Sequence, residues 1–117
     1  MTEVLCKTFD TVTNDSISGT AGKYLNIAGI YAVNNETNSA AGVSITFVFT
    51  DDTVILYGDS TAGLFLRGDG GDWGLPVNEE SVTDPYFKSL TAGAGFLILN
   101  VQSRRISGAI WYYFSDT

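Results

Sequence analysis

Carboxylates are the most numerous ionisable groups in this 117-residue sequence, with 13 Asp and Glu against 6 Lys and Arg and no histidine. Without histidine the commonest general base and metal ligand are missing, and with them Ser-His-Asp sites, Cys-His sites and His-based zinc sites. Asp51-Asp52, Asp59, Asp69 and Asp72 fall in turns and are oxygen donors of the kind calcium takes. Asp69-Gly70-Gly71-Asp72 lacks the downstream bidentate Glu of an EF-hand loop, so these read as solvated turn carboxylates and no metal is expected. Glycoside hydrolysis needs two carboxyl groups about 5 to 9.5 Å apart. No spacing singles out such a pair, and the expectation is a protein that is not an enzyme and carries no cofactor.

Three other features invite a chemical reading. Arg67-Gly68-Asp69 spells an integrin-type tripeptide, but Gly and Asp are what a tight turn selects. Trp73, Trp111, Tyr112 and Tyr113 could form a stacking platform for a sugar, although aromatics in alternating strands more often serve a core or a subunit contact. Arg104-Arg105 is the only adjacent basic pair and could meet a negative patch on a partner. The single cysteine, Cys6, cannot form an internal disulfide and reads as a buried strand thiol. The sequons at Asn14 and Asn35 would matter only in a eukaryotic secretory route.

Net charge of −7 repels nucleic acid and anionic membranes, so neither is an expected partner. No apolar run approaches the roughly 20 residues of a membrane helix, and the opening Met1-Thr2-Glu3-Val4 does not resemble a signal segment. One domain over residues 1–117 fits the length. Val, Ile, Thr and aromatic residues alternate in short runs between Gly, Asn and Asp punctuation. That pattern predicts an all-β, antiparallel two-sheet sandwich of jelly-roll type, with eight or nine strands and no significant helix.

Residues 1–22 read as an extended N-terminal arm plus loop, with 3–13 also able to form an edge strand. Lys23–Val33 reads as a strand, with Leu25, Ile27, Tyr31 and Val33 on one face and Gly29 marking a bulge or a close neighbour. Residues 34–42 read as a solvent-facing loop. Val43, Ile45, Phe47 and Phe49 form a core face, and strands follow over Thr53–Tyr57, Ala62–Arg67 and Tyr86–Leu90. Gly95–Val101 and Ile106–Phe114, separated by Gln102–Arg105, read as a closing antiparallel hairpin. Phe96 and Ile98 point one way and Leu97, Leu99 and Val101 the other; Ile110, Tyr112 and Phe114 oppose Trp111 and Tyr113. Both faces are apolar, so a partner is expected on the second.

The order of Tyr24–Ile30, the Gly42–Phe49 strand, Leu75-Pro76-Val77-Asn78, Tyr86-Phe87, Thr91–Asn100 and the tyrosine-rich Ile106–Tyr113 resembles the small β-sandwich capsid decoration (cement) proteins of tailed phages. The resemblance spans about Lys23 to Phe114. It implies a jelly-roll homotrimer in the virion, seated on the outer surface of the capsid where major capsid protein subunits meet. Residues expected at the subunit or capsid interface are Val4, Leu5, Phe9, Leu97, Leu99, Arg104, Arg105, Trp111 and Tyr113, with Met1–Asp10 lying on the capsid or pairing with a neighbour's sheet edge. The rival expectation is a glycan- or receptor-binding module, such as that of a phage tail fibre.

Overall fold

A computed structural model describes residues 3–51, 64–100 and 102–117, and the expected strand at Thr53–Tyr57 lies outside them. Nine strands form among the described residues: β1 (Leu5–Thr11), β2 (Asp15–Ile17), β3 (Tyr24–Asn34), β4 (Val43–Phe49), β5 (Leu64–Leu66), β6 (Asp72–Leu75), β7 (Phe87–Lys88), β8 (Phe96–Asn100) and β9 (Ile106–Ser115). One sheet runs β1-β9-β3-β6, with β7 also on β3, and the other runs β2-β8-β4-β5. The antiparallel pairs β1/β9, β2/β8, β3/β6 and β4/β5 are nested, so the first half of the chain lies along the second as a long ribbon. Two further pairings, β3/β9 and β4/β8, roll that ribbon into the expected jelly roll.

The inner faces follow from side-chain alternation. Val43, Ile45, Phe47 and Phe49 of β4 are fully buried, as the sequence predicts, and so are Phe96 and Ile98 of β8. Phe96 stacks on Phe47 with centroids 6.1 Å apart and meets Phe49 edge-on at 5.2 Å, both within the range where aromatic pairs attract. From the facing sheet come Leu25, Ile27, Ile30, Ile106 and Ile110, all at most 1% exposed.

The closing hairpin does not form. β8 bonds β2 and β4 while β9 bonds β1 and β3, so Gln102–Arg105 is a crossing between sheets. The face assignments stand, because alternation fixes which way a side chain points whatever the strand's partner is; Val101 lies outside the described residues. Local bonds favour the crossing. The Asn100 side chain donates to Arg104 O at 2.6 Å and accepts from Arg104 N at 3.3 Å, and Ser103 adopts φ 56°.

Of the two outcomes open for the N-terminal residues, arm or edge strand, the edge strand forms. Seven residues of β1 pair in register with β9, from Leu5 opposite Tyr112 to Thr11 opposite Ile106, and Phe9 and Ile17 enter the core. Residues 5–17 therefore belong to the sandwich. Nor is the 34–42 loop solvent-facing throughout: Asn34 and Ala41 are buried, and the Asn34 side chain donates to Ala41 O and Leu66 O at 2.9 and 3.1 Å while accepting from Glu36 N.

Candidate functional site

The site begins with an irregularity in β3. Ile27 faces Tyr112 and Gly29 faces Trp111, which leaves Ala28 as an extra residue. This is the bulge anticipated at Gly29, and it shifts the alternation by one. Before it Leu25 and Ile27 point inward; after it Ile30, Ala32 and Asn34 do. Tyr31 and Val33 consequently leave the core face on which the sequence places them. Tyr31 is 40% exposed on the outer side of the sheet.

The chain then lies down on this bulge. Leaving β6 at Leu75, residues 76–86 make an excursion before Tyr86 N rejoins the sheet by donating to Ile27 O at 3.0 Å. A side chain at Gly29 would come within about 3.0 Å of Val77 N and 3.1 Å of Val77 Cβ, so only glycine allows so close an approach. Gly74 does the same for Tyr31, whose ring lies over it: an added Cβ would be 3.1 Å from Tyr31 Cδ1. The excursion is tied internally. The Tyr86 hydroxyl donates to Pro76 O at 2.6 Å, and Asn78 and Ser81 bond each other reciprocally at 2.9 Å.

Tyr31, Gly74, Leu75, Pro76, Val77 and Trp111 thereby line an outward apolar groove of about 480 Å³. Cys6, directly opposite Trp111 in the β1/β9 register, lies beside that ring on the β1 side. This cysteine is exposed rather than buried, because the inward set of β1 is Leu5, Lys7 and Phe9. The Tyr31 hydroxyl donates to Asp72 Oδ2 at 3.1 Å, and that bond to a carboxylate raises the Tyr31 pKa above its usual value. Across the excursion, Asn78, Glu80, Ser81, Asp84, Pro85 and Tyr86 line a second, polar depression of about 270 Å³. Burial and then the nearby Asp84 charge push the Tyr113 phenol upward.

The expected interface residues do not form one patch. Leu97 and Leu99 are half-buried on the outer side of the β2-β8-β4-β5 sheet, where Val48 and Thr46 are their cross-strand partners. Trp111 is half-buried on the outer side of the opposite sheet. Phe9 and Tyr113 are only 4% and 5% exposed and offer little to a partner. Leu5 points inward opposite Tyr112, and Val4, just before β1, is half-buried. Arg105 is engaged within the chain: Nε and Nη2 donate to the two Asp10 carboxylate oxygens at 3.1 and 3.0 Å, and its backbone N to Glu36. Arg104 is half-buried, its Nε without a hydrogen-bond partner.

The aromatic platform also comes apart. Trp73 packs on the core 6.4 Å from Phe47, and Tyr112 and Phe114 pack against the core edge-to-face at 5.9 Å. Only Trp111 of the four faces outward with room beside it, and its diagonal neighbour is Tyr31, a residue missed because the bulge reverses its face. Leu75-Pro76-Val77, an apolar run that a proline keeps from continuing as a strand, was the signal that could have found the rest. Of the turn carboxylates, Asp51 accepts from Leu90 N, Thr91 N and Thr91 Oγ1, while Asp52 and Asp59 lie outside the described residues. Arg67-Gly68-Asp69 is a tight turn, with Asp69 at φ 63° and its N–H bonded to Glu36 O. Asn14 and Asn35, the sequon residues, bond Asn100 N and Ser107 Oγ respectively. No protein-family model matches this chain, and no curated protein matches it significantly.

Proposed function

We propose that the chain is a non-enzymatic virion structural protein, a capsid decoration (cement) protein that binds the outer surface of a tailed-phage head as a homotrimer and stabilises contacts between major capsid subunits. The observation that carries this reading is the outward groove of Tyr31, Leu75, Pro76, Val77 and Trp111 on an otherwise regular jelly roll. An exposed apolar recess leaves apolar surface in water in the monomer and suits a protein partner. The order of sequence segments, which resembles that of the decoration proteins, favours the same reading. The mechanism is mass action: a protein that binds the assembled lattice better than free subunits stabilises the lattice.

Purified protein should run as a trimer in light scattering and appear on the surface of empty heads by electron microscopy. Val77→Glu should lower its occupancy there. A monomer that leaves heads bare would sink the proposal. The second reading, a carbohydrate-binding module, is favoured by one feature: Trp111 and Tyr31 are diagonal neighbours on one face, with Asp72 beside the Tyr31 hydroxyl. Aromatic faces and a carboxylate are what a sugar ring and its hydroxyls would meet. Retention on a glycan array, lost in Trp111→Ala, would select it.

A further inference from the structure

The apolar groove does not stand alone. Its wall residue Pro76 receives the hydroxyl of Tyr86, which lines the polar depression on the far side of the same excursion. Around that depression the run Asn78–Asp84 carries three carboxylates, Glu79, Glu80 and Asp84, and no basic residue. None of the three has an ion-pair partner among the described residues: Lys7 pairs with Asp15, Lys23 with Asp116 and Arg105 with Asp10. The nearest cation along the chain, Lys88, lies over the Tyr24 ring instead. Asp72, at the other end of the groove, shares its surroundings with Arg67, so the uncompensated negative field belongs to the 79–84 side.

We infer that the groove and the depression are adjoining subsites for one occupant: an extended protein segment that places an aliphatic or proline side chain against Trp111 and Val77 and, a few residues along, a Lys or Arg against Glu80 and Asp84. The inference rests on the reading of this surface as partner-facing and names the partner's chemistry. Alternate side chains of an extended segment fall on one side about every 6 to 7 Å, which lets neighbouring recesses be filled in turn. The apolar contact supplies affinity through area removed from water. The carboxylates set direction and speed encounter, which makes the interaction salt-sensitive.

The test selects binders from a random short-peptide library displayed on phage against the purified full chain. Selected sequences should combine Leu, Ile, Val or Pro with a following Lys or Arg. Synthetic versions should slow modification of Cys6, which sits opposite Trp111, by a thiol-reactive dye. Glu80→Gln/Asp84→Asn and Trp111→Ala should each weaken binding by about tenfold or more, the range of an interface hot spot. Val77→Glu, on a 38% exposed side chain outside the strands, gives the same readout from the groove wall that rests on Gly29. Failure to select any peptide, selection without basic residues, equal binding by the charge-neutralised variant, or an unchanged Cys6 rate would each overturn the inference. Head decoration is measured separately, so a protein that coats heads yet selects no such peptide would lose this inference and keep the proposed function.

Discussion

Arg104 and Arg105 are adjacent in sequence, and the fold gives them different fates. Arg105 meets Asp10 in a two-bond, fork-to-carboxylate geometry that ties the start of β9 to the end of β1. The guanidinium, first by hydrogen bonding and then by charge, holds the Asp10 carboxyl below its ordinary 3.8. A lowered carboxyl pKa contributes stability that is present above the unfolded value and lost as pH falls through the folded one. The thermal midpoint of the native chain should therefore exceed that of Asp10→Asn at neutral pH, and the gap should close in acid below 3.8. Both side chains are exposed, so solvent screening keeps the gap small; a gap that stays constant into strong acid would show that the ion pair is not its source. The sequence singled out the arginine pair by its rarity but not Asp10, since a cross-strand partner 95 positions away is invisible until register is known.

β1 shows what an element can contribute beyond its propensity. It is the outer strand of its sheet, and one side of its backbone is unpaired among the described residues. Lys7 projects from it on the inward side, opposite Ile110, and reaches Asp15 on the other sheet at 3.6 Å. A charge pointed inward at a sheet edge resists the addition of another strand, because a neighbour would have to bury it. Such a strand is poorly suited to pairing with a neighbouring copy, the role the sequence had allowed for Met1–Asp10. Lys7→Val should keep the fold and gain concentration-dependent association, read by light scattering across a dilution series; an unchanged oligomeric state at every concentration would remove Lys7 from this role. In β3 the sequence marked Gly29 as a bulge, yet the consequence escaped it: an extra residue at Ala28 moves Tyr31 from core to surface, and with Tyr31 goes half of the candidate site.

At the scale of the molecule, stability is concentrated where the two sheets meet. Phe96 lies between Phe47 and Phe49 and has no exposed surface, so Phe96→Ala should cost about 3 to 5 kcal/mol in urea unfolding; a loss under about 1 kcal/mol would mean that the neighbouring rings collapse into the space. The sequence by itself determined the all-β class, the two-sheet sandwich and the inward faces of β4, β8 and β9, because alternation with period two is a local property that survives any choice of partner. It could not determine partners. Two apolar runs separated by four polar residues fit a hairpin as well as a crossing, and only the nested pairing of distant halves sends β8 to one sheet and β9 to the other. The same holds for function: Trp111 was legible as an outward aromatic, but the groove beside it exists because a bulge, a glycine and a distant Leu75-Pro76-Val77 segment converge, and convergence of residues far apart in the chain is decided by tertiary structure alone.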